Sequence, residues 1–262
     1  MASRAERATS FGAIAEDYDR LRPGPPDVAV DWLLPERRRI VVDLAAGTGL
    51  LTRVLARKVE QVVAVEPDKR MGAVLRARSP GVHVIPGRGE AIPMPDASAD
   101  GVFVSSAWHW MDPARASSEI GRVLRDGGRF GVIWTSRDPE IDWVREAGRQ
   151  VRGAAADGPS AKDEPLSRAG HHEVSLPDTG LFGNIDTASF TFTRAMTIGV
   201  LVDLLGTYSG VITASPEDRA AALARARAVL EERFPDGDTI DVPMRSWCWR
   251  ADRAARPASS TP

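Results

Sequence analysis

Two glycines and two acidic residues stand where backbone and carboxylate groups could bind a ligand. Gly47 and Gly49 follow an apolar run that ends in Asp43, and an amphipathic segment begins after them. This order predicts a strand, a tight turn and a helix N-terminus, where backbone can approach a ligand closely. Glu66 ends a second apolar run about 20 residues after the turn, where a carboxylate can accept two hydrogen bonds from ribose hydroxyls. An ordinary strand-to-helix turn and a solvated acid are the structural alternatives.

The elements that would position these residues alternate between apolar runs and helical patterns. Candidate strands lie at 40–44, 62–65, 82–85, 101–105 and 129–134. Ala116, Ile120, Val123 and Leu124 share one face of a helix that Gly127-Gly128 is expected to stop. Alternation of strand and helix predicts parallel strands with right-handed crossovers, and a ligand beyond their carboxyl ends near the topological switch point.

The second half of the chain predicts helices flanked by two further strands. Segment 190–192 indicates one strand and segment 242–249 the last one. Thr197 is expected to cap a helix whose apolar face extends to Tyr208. Ser215 precedes proline and acidic residues, which is typical of a helix start. These helices are too few to form a core alone, so we interpret them as a cap within one domain.

Composition limits the partners and the compartment. A net charge of −2 gives no electrostatic footprint for nucleic acid, and no apolar run approaches the roughly 20 residues of a membrane span. Segment 1–7 lacks a hydrophobic signal core. The single cysteine, Cys248, excludes an internal disulfide and a cysteine-based zinc cluster. We therefore expect a cytoplasmic protein without nucleic-acid or membrane partners.

A polar segment at 153–170 predicts a mobile loop. His171 and His172 follow it without acids at ligand spacing, which favours solvated side chains over a metal site, and no metal is expected. The tail at 256–262 is expected to be disordered.

Two longer motifs carry a family resemblance. The Asp43-x-Ala45-x-Gly47-x-Gly49 pattern resembles the first motif of class I S-adenosylmethionine-dependent methyltransferases. The segment 107–110, Ala-Trp-His-Trp, followed by Glu-x-x-Arg-Val-Leu-x-x-Gly-Gly at 119–128, resembles the type 11 methyltransferase-domain family. The resemblance runs from about Phe11 to Trp134 and becomes vague beyond, where substrate specificity varies.

The resemblance implies an α/β fold. It is a Rossmann-like, seven-stranded, mostly parallel sheet with an antiparallel last strand, helices on both faces and a small helical cap. One domain would then comprise an N-terminal helical lid (1–35), a cofactor-binding core (36–136), a variable substrate cap with the sixth strand (137–240), the last strand (241–250) and a disordered tail (251–262).

The resemblance also implies S-adenosylmethionine as cofactor, with S-adenosylhomocysteine as product. The residues that it assigns to the cofactor are Tyr18, Arg22, Asp43, Ala45, Gly47, Gly49, Glu66, Pro67, Met71, Gly89, Glu90 and Ser106. Met71 would lie against the adenine or in the core. Tyr18 and Arg22 would contact the methionine carboxylate or the substrate, or only pack the first helix. Many relatives carry an acid at Arg88 and an alanine at Gly89, which puts an adenine contact from Arg88 in doubt.

The residues after the fourth strand are candidates for catalytic and substrate-binding roles. His109 follows the fourth strand, and an imidazole there suits proton transfer near neutrality; a hydrogen-bonded structural role is the alternative. Trp108, Trp110 and Tyr208 are candidates to line a pocket for a small-molecule acceptor, with one tryptophan in the core. Glu90 is expected to anchor its loop locally.

The same residues bear on three alternative functions. A nicotinamide dehydrogenase is disfavoured because Thr52 occupies the place of the third fingerprint glycine. A cofactor-binding protein without transfer activity and a protein methyltransferase stay open, since cofactor residues report binding rather than turnover. The acceptor and the oligomeric state are also open.

Overall fold

The structure of the protein is a computed structural model that describes residues 11–152, 174–237 and 239–255. The predicted loop at 153–170, the pair His171 and His172, segment 1–7 and the tail at 256–262 lie outside the described residues.

Strands and helices alternate through the first half of the chain, as predicted. The strands are β1 (Ile40–Leu44), β2 (Gln61–Val65), β3 (His83–Ile85), β4 (Ala99–Ser105), β5 (Leu124–Arg137), β6 (Phe182–Thr197) and β7 (Thr239–Arg253). The α-helices are α1 (Ala15–Leu21), α2 (Asp27–Leu33), α3 (Leu50–Leu55), α4 (Lys69–Arg78), α5 (Pro113–Val123), α6 (Asp142–Arg152), α7 (Ile198–Leu205), α8 (Ser209–Ile212) and α9 (Pro216–Arg233). Short 3-10 helices cover Phe11–Ile14 and Trp108–Trp110. No helix in the described part of the chain has both the length and the apolar character to cross a membrane.

The seven strands form one sheet in the order β3-β2-β1-β4-β5-β7-β6. β1 pairs in parallel with β2 and β4, and β5 extends the parallel set beside β4. β7 is antiparallel. The predicted fold class is therefore confirmed. Strand order reverses between β1 and β4, where ligands of such sheets bind.

The chain divides into two compact units, and neither is one continuous segment. The first, which we call the sheet unit, comprises the described residues within 24–134, 173–190 and 246–262. Its strands β1, β2 and β4 are buried on both faces. Val42, Val63, Val102 and Phe130 belong to one apolar cluster, while Val41, Val62, Phe103 and Ile133 belong to another. Parallel strands covered on both sides give near-continuous apolar runs, which is why the sequence predicted them well.

The second unit, which we call the helical unit, comprises the described residues within 1–23, 135–172 and 191–245. Leu201, Leu204 and Leu230 are buried at the centre of its apolar cluster. The predicted capping residues are in place. The Thr197 hydroxyl accepts the Val200 backbone N–H at 3.2 Å, and the Ser215 hydroxyl accepts that of Asp218 at 3.1 Å.

Three local expectations are wrong. Helix α5 ends at Val123, and Gly127-Gly128 lies within β5 rather than stopping the helix. Between the paired residues Ala99–Leu124 and Gly101–Arg129, four residues of β5 lie opposite one residue of β4. The register of β5 with β4 therefore shifts at this point, and Gly127 there has a positive φ of 74°, which glycine adopts without strain. β7 continues to Arg253, so Ala251–Arg253 belong to the strand and not to a tail. Tyr208 lies beyond the end of α7. The functional division into lid, core and cap stays a prediction.

Candidate functional site

The turn after β1 has left-handed backbone at alternate residues. Ala45, Gly47 and Gly49 have φ values of 55°, 58° and 89°. A Cβ on Gly49 would lie 2.9 Å from Cγ of Leu75, so a side chain has no room there. Gly49 is the N-cap of α3, and its N–H donates to the Ala46 carbonyl at 2.9 Å. The turn therefore presents backbone without side chains at the switch point.

Glu66 is tied to this turn. Its Oε2 accepts the Gly47 backbone N–H and its Oε1 accepts the Asp68 backbone N–H, each at 2.7 Å. The side chain is only 8% exposed, and this burial raises the pKa of the Glu66 carboxyl. A carboxylate has about four lone-pair sites, so each oxygen keeps capacity for another donor.

Asp43 lies beneath the turn. Its side chain is fully buried, and its Oδ2 accepts a hydrogen bond from the Thr52 hydroxyl at 2.5 Å. Burial raises the pKa of the Asp43 carboxyl to about 7. Asp43 therefore links the end of β1 to the first turn of α3 through its hydrogen bond with Thr52. Asp43 and Thr52 are nine residues apart, and no local sequence signal predicts their bond.

The residues after β2 order the next helix. Asp68 caps α4 by accepting the backbone N–H groups of Arg70 and Met71, and hydrogen bonding to Arg70 lowers the pKa of the Asp68 carboxyl. Met71 is buried, and its terminal methyl lies 3.6 Å from where a Cβ on Gly47 would be. Pro67 is exposed. Met71 therefore lies in the core immediately beside the turn, and its adenine contact stays a prediction.

The loop after β3 packs against Met111, to which the sequence assigns no role. Gly89 is buried, and a Cβ there would lie 2.5 Å from Sδ of Met111. Glu90 accepts the Asp112 backbone N–H at 2.8 Å, which fits the anchoring role expected of it. Arg88 is exposed and forms an isolated bridge with Ala91. Met111 therefore leaves no room for a side chain at Gly89.

The three candidate aromatic side chains after β4, those of Trp108, His109 and Trp110, differ in burial. Ser106 has a φ of 54°, and its N–H donates to the Ile133 carbonyl at 2.8 Å. Trp108 is 3% exposed, with its ring centroid 5.2 Å from that of Phe130, so it is a core residue. His109 is exposed and Trp110 half-buried, with ring centroids 4.4 Å apart. Of the three aromatic residues, only His109 and Trp110 are accessible to a ligand.

The remaining predicted site residues meet in the helical unit. The guanidinium carbon of Arg22 lies 4.0 Å from the ring centroid of Tyr208 and 5.3 Å from that of Tyr18. Nε and Nη2 of Arg22 donate to the hydroxyl and carbonyl oxygens of Thr207 at 2.8 and 3.0 Å. The structure therefore brings Tyr18, Arg22 and Tyr208 into one cluster.

Known proteins are similar to this chain over most of its length. The methyltransferase domain family matches residues 42–132. An uncharacterized methyltransferase of Mycobacterium tuberculosis is 39% identical over 254 residues, which are 96% of this chain and 99% of that relative. The chain belongs to the class I S-adenosylmethionine-dependent methyltransferases, in the type 11 methyltransferase-domain family.

Other similarities extend over most of the methyltransferase. An uncharacterized methyltransferase-like protein of Schizosaccharomyces pombe is 30% identical over 251 residues, which are 93% of this chain and 95% of that relative. Among solved structures, a candidate type II methyltransferase from Anaeromyxobacter dehalogenans superposes with a TM-score of 0.68 at 25% identity, covering 90% of this chain and 99% of the other.

The residues of the methyltransferase fit the cofactor that its family implies. The turn has no side chain at Gly47, and backbone without a side chain allows a ligand to approach closely. The Glu66 carboxylate retains acceptor capacity after its two backbone bonds. Among residues 11–152, 174–237 and 239–255, no group of three His, Cys, Asp or Glu side chains is arranged to hold a metal ion.

Proposed function

We propose that this methyltransferase transfers a methyl group from S-adenosylmethionine to an oxygen, nitrogen or carbon atom of a small-molecule acceptor. The observation that carries the proposal is the bond between Glu66 and Gly47, which joins the carboxylate to the glycine turn at the switch point. Glu66 would accept the ribose hydroxyls, and the backbone at 45–49 would hold the methionine portion. Met71, Gly89, Glu90, Pro67 and Ser106 would surround the remainder.

The bound cofactor supplies an electrophilic methyl group on a sulfonium, so alignment and exclusion of water contribute most to the rate. His109 is the side chain that we propose as general base for the acceptor. It is exposed, follows the end of β4 and lies beside Trp110, which would form one wall of the pocket. A neutral imidazole accepts the proton that the attacking oxygen or nitrogen loses. A carbon acceptor would need the same step after attack.

A small acceptor is favoured over a nucleic acid because the chain carries a net charge of −2. The acceptor classes that we propose are small carboxylic acids and natural-product intermediates.

The test is release of S-adenosylhomocysteine, measured by mass spectrometry, from S-adenosylmethionine and a panel of organic acids, phenols and amines. Transfer to any member supports the proposal. Cofactor binding without transfer to any panel member would favour a cofactor-binding protein, and transfer only to protein side chains would favour a protein methyltransferase.

A further inference from the structure

Strand β6 is an open edge of the sheet. It spans 16 residues, Phe182–Thr197, and β7 is its one neighbour among the strands that the described residues form. Edge strands present backbone N–H and C=O groups that can pair with another chain, and proteins commonly protect them by short length, proline or lysine. The opposite edge, β3, is only 3 residues long. Residues 184–197, in contrast, contain neither proline nor lysine, so β6 lacks these protections.

The side chains of β6 alternate regularly in exposure. Those with odd numbers from 187 to 195 are exposed, and the even-numbered ones between them are half-buried. The exposed ones are small and uncharged: Thr187, Ser189, Thr191, Thr193 and Ala195. The Thr187 N–H donates to Oδ1 of Asp186 at 2.9 Å, which indicates that it points away from β7. Because backbone groups alternate in direction along a strand, the odd-numbered residues present theirs to the open edge.

Only two residues of β6 are charged, Asp186 and Arg194. The Asp186 side chain pairs with Arg250 at 3.0 Å and is still 53% exposed. Nη1 of Arg194 donates to the Leu21 carbonyl at 3.1 Å, and no carboxylate in the described part of the chain forms an ion pair with this half-buried arginine. Arg194 therefore has no anionic partner within the described residues of one copy.

The spacing of these two charges is self-complementary. When a strand pairs antiparallel with a copy of itself across a two-fold axis, residues equally far from the axis face each other. Asp186 and Arg194 lie on either side of Phe190, at equal distances along the strand. A pairing centred on Phe190 therefore places Asp186 opposite Arg194 of the second copy, twice by symmetry. A pairing centred on Asp186 or on Arg194 would instead oppose like charges, which is destabilising.

The same register suits the residues between the charges. Ser189 faces Thr191 of the second copy, and Thr187 faces Thr193. Their backbone groups point to the open edge, so these residues form the hydrogen-bonded pairs of the new ladder. Serine and threonine are favourable cross-strand partners. Phe190 faces its own copy in a non-hydrogen-bonded pair, where side chains lie closer together and two aromatic rings stabilise each other.

We propose that β6 pairs antiparallel with β6 of a second copy of this chain, across a two-fold axis at Phe190, and that the protein is thereby a homodimer. All the residues of this pairing lie on one continuous strand, so the geometry of β6 alone sets the register. The inference goes beyond the proposed function and does not depend on it, because its test requires neither cofactor nor acceptor.

The first experiment is sedimentation velocity of the full chain over a range of micromolar concentrations, which should show a dimer. Thr191→Lys should weaken dimerisation about tenfold, because two lysines would lie diagonally across the axis and each change occurs twice in a symmetric interface. Thr213→Lys, at an exposed threonine after α8, is the matched control and should dimerise as the wild type does. Arg194→Asp opposes acids and should also weaken the dimer, and adding Asp186→Arg should restore it.

The second experiment tests the register by cross-linking single cysteine variants with a short bismaleimide. Thr191 and its copy are diagonal neighbours about 7–8 Å apart in the proposed pairing. Ile185 and its copy would be about 33 Å apart, at roughly 3.3 Å per residue along the strands. Both positions are exposed, and the native Cys248 is only 4% exposed. Thr191→Cys should therefore form a covalent dimer, and Ile185→Cys should not.

Three results would overturn the inference. They are a wild type that sediments as a monomer throughout, a dimer that Thr191→Lys leaves unchanged, and a cross-link at residue 185 in place of residue 191. If Thr191→Lys does not fold, the charge exchange decides. A dimer of Arg194→Asp as tight as that of the wild type, or one that Asp186→Arg does not restore, would contradict the pairing centred on Phe190.

Discussion

The carboxylate of Glu66 accepts the backbone N–H of Gly47 at 2.7 Å, which links the ends of β2 and β1 at the switch point of the sheet. Oε1 of the same carboxylate accepts the Asp68 N–H, and Asp68 in turn caps α4. One side chain thus fixes the glycine turn and the start of the following helix. It holds these elements before any ligand binds.

The contact between Gly89 and Met111 predicts that Gly89→Ala is destabilising. The new Cβ would lie 2.5 Å from Sδ of Met111, so the loop after β3 or the methionine must shift. We expect a loss of about 1–3 kcal/mol in the free energy of unfolding, the usual cost of overpacking. Chemical denaturation measures it. Gly183→Ala is the control, because no atom lies within 4 Å of a Cβ there. A second change, Met111→Ala, should relieve the clash; a Gly89→Ala variant as stable as the control would contradict this packing.

The buried Asp43 predicts a pH dependence of stability. Its pKa is raised from 3.8 to about 7 in the folded protein, mainly by burial. Between those values the folded state binds more protons than the unfolded one, so stability falls as pH rises. The contribution of protonated Asp43 is complete below 3.8 and is lost as pH rises through about 7.

The measurement compares wild type with Asp43→Asn, whose side chain does not titrate. From about pH 5 to about pH 8 the wild type should lose roughly 1–3 kcal/mol relative to the variant. Parallel stability curves would show that Asp43 is charged at both ends of this range.

His109 is tested by turnover. If it is the base, His109→Ala should lower kcat by roughly 10²–10⁴-fold while the affinity for S-adenosylhomocysteine changes little. The matched control is His83→Ala, since His83 is also exposed and lies at the start of β3. Equal kcat in His109→Ala and wild type would leave His109 with no role in proton transfer.

Elements buried on both faces were the easiest to predict from the sequence. β1 was predicted with its bounds, and the starts of β2 and β4 were within two residues, because buried parallel strands read as unbroken apolar runs between turns. Thr197 and Ser215 were predicted as caps because a hydroxyl before a helix acts locally. Gly127-Gly128 misled the prediction of α5, since glycine pairs also form bulges and only the register with β4 distinguishes the two.

The site was predictable where its parts are close in sequence. Gly47, Gly49 and Glu66 follow the ends of predicted strands. The fit of Gly89 to Met111 and the meeting of Arg22 with Tyr208 join residues that are distant in the chain. No periodicity encodes such contacts, because they depend on how loops and helices pack.

Calorimetry of S-adenosylhomocysteine binding to the wild type and to Glu66→Gln tests the central claim most directly. We expect measurable binding by the wild type and a loss of roughly 1.5–3 kcal/mol in the variant, because the amide replaces an acceptor with a donor that faces other donors. Glu60→Gln, which removes an exposed partner of Arg39, should bind as the wild type does. A folded wild-type protein that does not bind S-adenosylhomocysteine, or a Glu66→Gln variant that binds it equally well, would contradict the account.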